Sequence, residues 1–395
     1  MKNKTRYNKG VEKTKYLIVG NGPAGSSAAE VIRSRDPSGS IMIVDREGER
    51  LYSKLLLHKF IIGEVPEQRL YLHKENWLRD HKIILETDGI DSITAGVVKL
   101  KSGREVKFEK ILFSSGAAAR KLGLEGEDLE GVYDFRNLAD ARGVESGLGT
   151  AQNISIVGGG LISTDLIDAL VGTGKKINLI LRDKEFLWGK VNEKAGRYLE
   201  QILLDAGVII FKENEVSKVS GNTGKIEKIK LLSGEEIASD MLLIAVGIVS
   251  NFDYLAGSQI EKNKGILVDE YLQTSEDWTW AAGDVCEHPV QGFNEKIVSG
   301  NWLYALESGK IAGENMAGEH KQCWSLPVSV KSLRGVSIGY YGDVLAESET
   351  VDAEKEDVFY RFFVKDSKLC SASIVGSQKN SAVIRSAIGK EFSTL

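Results

Sequence analysis

Gly20, Gly22 and Gly25 fall at the spacing G-x-G-x-x-G, behind the apolar run Tyr16-Leu-Ile-Val and ahead of helix-forming residues 26–33; Pro23 and Ala24 fill the turn. The order strand, turn, helix is what a dinucleotide-binding turn requires. Gly20 permits the tight turn, Gly22 lets the backbone approach a pyrophosphate, and Gly25 allows close helix-to-strand packing while the helix N-terminus faces the phosphates. Asp45 ends a second apolar run, Ile41-Met-Ile-Val, about 20 residues beyond Gly25, where an acid accepts hydrogen bonds from ribose hydroxyls. The competing reading is a glycine-rich turn with no ligand, and the flanking strand, helix and acid weigh against it.

A second turn of the same kind stands in Asn153-Ile-Ser-Ile-Val-Gly158-Gly-Gly160-Leu161-Ile162-Ser163, followed by a helical stretch to about Val171 and a strand over 177–181. Here a serine takes the third glycine's place, and the strand ends Leu181-Arg182 with no acid before the arginine. A small residue other than glycine is tolerated if the helix sits slightly farther from the strand. An arginine at that strand end pairs with a 2′-phosphate that an acid would repel, so this turn leans towards NADPH over NADH. A decayed site that binds no nucleotide is the alternative.

These turns need folded modules to carry them, and the chain is long enough. At 395 residues with 42% hydrophobic content it accommodates two to three domains with their own cores. No apolar run approaches the ~20 residues of a bilayer span, and the lysine-rich first fifteen residues lack the apolar core of a secretory signal. They read as a frayed basic tail. Cys286, Cys323 and Cys370 form no paired spacing, which argues for a reducing cytoplasm and against a disulfide framework, an iron–sulfur cluster or a redox dithiol. Five histidines, none at metal-ligand spacing, leave no case for a metal, and the net charge of −5 disfavours nonspecific nucleic-acid binding.

The two halves repeat in order: glycine turn, β segments, strand ending in glycine. In the first half the β segments lie near 83–85, 96–100 and 105–108, and Ile111-Leu-Phe-Ser-Ser115-Gly116 reads as a buried strand; in the second, Met241-Leu-Leu-Ile-Ala-Val-Gly247 closes the unit. Trp280-Ala-Ala-Gly283-Asp284 is a further strand with an acid at its carboxyl end, where ligands of open α/β sheets bind. Residues 301–316 predict a helix with Ala305, Gly309, Ala312 and Gly313 on its packing side. Beyond about Ser325 the pattern changes to short β runs near 328–330, 336–340, 358–364 and 369–375, then a last helix from Asn380. The predicted fold is α/β, two Rossmann-like doubly wound domains plus a small C-terminal α+β domain. The boundaries expected are a tail over 1–14, a discontinuous first domain over 15–124 and 249–324, a second over 125–248, and an interface domain over 325–395.

Together these passages resemble the FAD- and pyridine-nucleotide-dependent oxidoreductases of the two-dinucleotide-domain type. The likeness is nearest to rubredoxin and ferredoxin reductases, the flavin part of assimilatory nitrite reductase large subunits, and flavin subunits of multisubunit dehydrogenases. It runs from Tyr16 to about Lys390. The resemblance implies that Gly20, Gly22, Pro23, Ala24, Gly25 and Asp45 hold the FAD pyrophosphate and adenosine ribose, that Ser115 and Gly116 take the place of the family's Ala-Thr-Gly strand end, and that Gly283 and Asp284 match the second FAD fingerprint. It implies that the helix beginning near Trp302 points its N-terminus at the flavin pyrimidine. For NAD(P) it implies Gly158, Gly160, Leu161, Ile162, Arg182 and Gly247, with Lys184 as a helper. The stretch Leu51-Tyr-Ser-Lys54-Leu-Leu-Leu-His58-Lys59 resembles the family's segment beside the isoalloxazine, with Lys54 in place of an arginine and Leu55 in place of a proline. Lys59 falls on the lysine near flavin N5 and Asp165 on the glutamate that pairs with it, so these two are the expected catalytic pair; a solvated lysine and an ordinary helix acid are the bland alternative.

The cysteine-based branches of that family place a redox thiol in residues 46–66, and this chain has none there. Glutathione-reductase-like, peroxidase-like and coenzyme-A-disulfide-reductase-like activities are disfavoured. The expected activity is hydride transfer from NAD(P)H to flavin N5 and delivery of electrons to an iron–sulfur or rubredoxin-type protein. A flavin subunit of a multisubunit complex is the alternative, an NAD(P)H oxidase a third. A cytoplasmic location and a homodimer or hetero-oligomer built through the C-terminal domain complete the expectations.

Overall fold

The computed structural model describes residues 12–392. Residues 1–11 of the expected tail lie outside the described residues, and its last three do not form a tail: the first strand, Glu12–Val19, begins at Glu12. It runs parallel to Ile41–Asp45 on one side and Glu105–Phe113 on the other, with Ile83–Thr87 beyond and Thr279–Ala281 against the far half of Glu105–Phe113. The apolar runs at 16–19 and 41–44 are buried throughout, as parallel strands covered on both faces must be.

Glu105–Phe113 is one strand where two were expected. It pairs parallel with Glu12–Val19 along most of its length, but its first half alternates Glu-Val-Lys-Phe and pairs antiparallel with Val97–Leu100 on the other side, while its apolar end Ile111–Phe113 pairs parallel there with Thr279–Ala281. One strand therefore serves two environments, and the change of pattern within it reads as a break.

The second sheet repeats the plan. Ile209–Phe211, Lys176–Ile180, Asn153–Val157, Met241–Ile244 and Val132–Tyr133 lie side by side, all parallel, and the meander Val216–Asn222, Lys225–Leu231, Glu236–Ala238 answers the antiparallel branch of the first sheet. The short antiparallel pair Ala117–Ala119 with Ile248–Ser250 joins the two crossings between modules.

A third, antiparallel sheet follows, ordered Val328–Leu333, Val336–Gly342, Lys368–Val375, Val358–Lys365, Glu349–Lys355, with the helix Ser381–Ala387 against it. The helix Trp302–Met316 crosses back to the first module and packs on Pro23–Arg35. A Cβ on Gly309 would stand 2.2 Å from Ala24 O, and one on Gly313 2.8 Å from Ala28 Cα, so the small residues of that helix are what permit the contact. Among the described residues no helix is long and apolar enough to cross a membrane.

Candidate functional site

Both glycine turns open into one cavity of about 1940 Å³, well above the roughly 300–1,000 Å³ of a single small-molecule site. Its wall includes every residue expected at a site except Gly25, which is buried behind the first turn, and the helper Lys184.

The first turn is built as the motif demands. Gly20 has φ +102°, and a Cβ there would stand 2.4 Å from Ser114 O; a Cβ on Gly25 would stand 2.0 Å from Gly20 O. Gly22 differs: a Cβ there meets nothing within 4 Å, because the space before it is cavity. Gly22 is also the N-cap of Pro23–Arg35 and has no side-chain cap. Gly20 N and Asn21 N donate within the protein, to Val44 O and Asp45, while the uncapped helix N-terminus at Gly22 borders open cavity where a phosphate would sit, and the residues fit a dinucleotide.

The second turn repeats this geometry. Gly158 has φ +110° and a Cβ there would stand 2.4 Å from Ala245 O, while Gly160 is the uncapped N-cap of Leu161–Leu170. Ser163 is fully buried and its Oγ has no hydrogen-bond partner, so the serine is fitted as a small packing residue without gaining a bond. Lys190 Nζ lies 3.7 Å from the Cβ position of Gly160, and burial pulls its ammonium below the ordinary lysine range. A cation at an uncapped helix N-terminus suits a pyrophosphate. Arg182 extends from the strand end with its side chain 74% exposed and 3.9 Å from Asp183. Lys184, the expected helper, lies over the Trp188 ring at 3.9 Å instead.

Asp45 organises the loop beside the first turn. Its carboxylate accepts from Asn21 N at 2.9 Å, Glu47 N at 2.8 Å and Gly48 N at 2.9 Å, tying the first turn to the loop after the second strand. Ser115 Oγ donates to Asn251 O at 2.6 Å and lies 2.8 Å from Tyr254 Oη. Its hydroxyl therefore holds the strand end to the returning chain.

Asp284 is joined by Arg136, Nη2 to Oδ2 at 2.6 Å, with side chains 21% and 15% exposed. Arg136 was not among the expected residues, although a signal for it exists. Asn137 accepts from Asp140 N at 2.9 Å while Asp140 Oδ2 accepts from Asn137 N at 3.0 Å and from Arg136 N at 2.8 Å. This capping box starts the helix Leu138–Leu148 and is readable as N-x-x-D. Arg136 immediately precedes it and is aimed into the cavity.

The 51–59 stretch lines the same wall. Lys54 Nζ is 3.8 Å from Glu47, yet burial and the Arg136 charge push its ammonium below the ordinary range. Tyr52 Oη donates to Glu47 at 2.6 Å and accepts from Leu138 N at 3.0 Å, which docks the stretch on the Leu138–Leu148 helix.

The expected pairing of Lys59 with Asp165 is not found. Lys59 sits on the single turn Leu57–Ile61, whose Leu57, Phe60 and Ile61 are buried. Its own side chain is 47% exposed, 4.0 Å from Glu64. Asp165 is instead paired at 2.5 Å with Lys331 of the C-terminal sheet, a residue the expectations omitted.

Cys286, Cys323 and Cys370 are free and buried, and burial pushes the Cys286 thiol up to about 12. None lines the cavity. Among the described residues no cluster of metal-ligand side chains occurs.

Comparison with known proteins agrees with this geometry. The pyridine nucleotide-disulphide oxidoreductase family matches residues 14–308. The rubredoxin–NAD(+) reductase of Ectopseudomonas oleovorans is 31% identical over 328 residues, 82% of this chain and 85% of its own. Subunit epsilon of the NADH-dependent phenylglyoxylate dehydrogenase of Aromatoleum evansii is 29% identical over 317 residues, 78% of this chain and 74% of its own. A ferredoxin reductase of Rhodopseudomonas palustris superposes with TM-score 0.88 at 19% identity, covering 96% of both chains.

Proposed function

Because this chain belongs to the pyridine nucleotide-disulphide oxidoreductase family, we propose that it is an FAD-dependent oxidoreductase that takes hydride from NAD(P)H and delivers electrons to a rubredoxin-type or iron–sulfur protein. The observation that carries this reading is the single cavity into which both glycine turns open without a cysteine in its wall. Two nucleotides held there meet directly, with no thiol between them. When bound, a flavin supplies the conversion between two-electron hydride chemistry and one-electron transfer.

The chain's own residues bind and orient. Gly20 and Gly22 with the Pro23–Arg35 N-terminus hold the FAD pyrophosphate, Gly25 packing behind them; Asp45 faces its ribose; Arg136 and Asp284 flank the middle of the cofactor; Gly116, Gly283 and Trp302 close the wall around it. Gly158, Gly160, Leu161, Ile162 and Lys190 hold the nicotinamide nucleotide, with Arg182 at its adenosine end and Gly247 opposite. The division into a discontinuous flavin domain over 15–124 and 249–324, a nicotinamide domain over 125–248 and an interface domain over 325–395 belongs to the same proposal. So does a cytoplasmic location, supported by three buried free thiols.

The Arg182 assignment is tested by anaerobic reduction of the FAD-loaded protein. NADPH is expected to reduce it faster than NADH, and Arg182→Glu to reverse that order; identical order in both proteins contradicts the assignment.

A second reading is a flavin subunit of a larger oxidoreductase; subunit epsilon of the NADH-dependent phenylglyoxylate dehydrogenase is by name a subunit of one. In its favour, the last strand of the C-terminal sheet, Glu349–Lys355, is an edge with six of its seven residues exposed, the kind of edge that a partner covers. A flavin-bound chain that reduces no soluble dye with either nucleotide would favour the subunit; rapid peroxide formation without an added protein would favour an oxidase.

A further inference from the structure

Asp165 and Lys331 come from parts of the chain that share no secondary structure, yet they meet on the wall of the cavity. Asp165 lies one turn into Leu161–Leu170, the helix whose uncapped N-terminus forms the second glycine turn. Lys331 lies on Val328–Leu333, the edge strand of the C-terminal sheet. Their side chains are only 16% and 15% exposed. Charges so shielded from bulk water act over longer distances than an exposed pair, whose field is screened.

A second contact fixes the approach. Arg334 N, in the turn after the strand, donates to Asp168 Oδ1 at 2.7 Å. Asp165 and Asp168 are three apart and so lie on one helix face, and that face therefore holds the Val328–Leu333 strand and its turn at two points. His58, from the 51–59 stretch, lies within the field of both members of the pair and of Lys59 and Asp168. All three modules converge here, while Lys59, on the same cavity wall, is half-exposed and lies 4.0 Å from Glu64.

We propose that Lys331 is the cation that neutralises Asp165 at the redox centre, with Asp165 the positioning residue that holds it there, a role in which the C-terminal sheet sets the charge of the cavity alongside the 51–59 stretch. The proposal rests on the reading that this cavity holds FAD beside a nicotinamide nucleotide. Reduction adds negative charge to the cavity. An unpaired Asp165 carboxylate would oppose that addition, and Lys331 cancels it. Removing Lys331 alone leaves a net negative site; removing both partners leaves a neutral one.

The test is the midpoint potential of the bound flavin, measured by dye equilibration in the full chain, with thermal unfolding followed in parallel. Lys331→Met is expected to shift the midpoint to more negative potential, and the double variant Asp165→Asn/Lys331→Met to bring it back towards the wild-type value; Lys331→Arg keeps the charge and is expected to keep the midpoint. A purely structural bridge behaves otherwise: both the single and double variants lose thermal stability while the midpoint stays put. A flavin-bound Lys331→Met protein with an unmoved midpoint overturns this inference alone. A folded wild-type protein that cannot be loaded with FAD overturns the cofactor reading together with it.

Discussion

Gly22 and Gly25 stand three residues apart and answer to different constraints. Gly22 has φ −78° and ψ −171°, a backbone any residue adopts, and open cavity in front of it. Gly22→Ala is therefore expected to leave stability within about 0.5 kcal/mol of wild type while lowering FAD affinity at least tenfold, because its methyl group occupies the cradle. Gly25→Ala puts a Cβ 2.0 Å from Gly20 O and is expected to destabilise the fold by several times that amount. Thermal melts with and without added FAD separate the two; equal losses of stability would contradict the distinction. At this scale the place of Gly20, Gly22, Asp45 and Asp284 on the cavity wall was legible because a tight strand-to-helix turn and an acid at a strand end follow a fixed spacing. Lys331 was not, since it reaches the cavity through a contact made in space, to Asp165, 166 residues away; Arg136 left only the capping box beside it as a signal, and its partner Asp284 is 148 residues away.

The helix Leu138–Leu148 shows how an element places a side chain. Its capping box fixes the first turn, and Asp140 also accepts from Arg136 N. Asn137→Ala is expected to cost about 1 kcal/mol and, by loosening that first turn, to weaken FAD binding although Asn137's cap bond is to the helix backbone. An unchanged FAD affinity with the stability loss present would separate the cap from the site. Strands and helices carrying a buried apolar run were legible at this scale, as at 41–44, 241–244 and 302–316. The strand Glu349–Lys355 was not, because ETVDAEK carries almost no apolar pattern and is held by pairing with Val358–Lys365 alone. The helix Glu193–Asp205 was also passed over, although Ala195, Leu199 and Leu203 recur every four residues and are fully buried.

Across the whole molecule, the modules are joined by polar contacts as well as by core. Beneath the start of Trp302–Met316, Ser299 Oγ lies 2.7 Å from buried His288 Nε2 and 3.3 Å from Asp343 Oδ2 on the C-terminal sheet. Burial pulls His288 down to about 4 and pushes Asp343 up to about 7. A neutral His288 donates Nδ1–H to Pro289 O at 3.1 Å and accepts at Nε2 from Ser299, so the proton between Ser299 and Asp343 sits on the carboxyl. The two groups act on stability with opposite sign. The native Asp343 holds a proton that the unfolded chain has lost from about pH 4 upward, so its contribution falls as pH rises towards 7. His288 must shed a proton to fold below about pH 6.5, so its contribution falls as pH drops towards 4. Asp343→Asn, which keeps a donor to Ser299, is expected to raise the melting temperature more at pH 8 than at pH 5. A gain independent of pH would place the carboxyl's cost elsewhere.

Two halves built on one plan, with a third sheet leaning a lysine into the space between them, make a molecule whose cavity is its common interior. This cavity passes electrons from a nicotinamide nucleotide to a flavin and on to a redox protein. Anaerobic mixing of the FAD-loaded protein with one equivalent of NADPH or NADH, followed by an oxidised rubredoxin-type protein, tests it in a single experiment. The flavin is expected to bleach on the first addition and to recover as the redox protein is reduced on the second. Flavin that stays oxidised with both nucleotides would contradict the account.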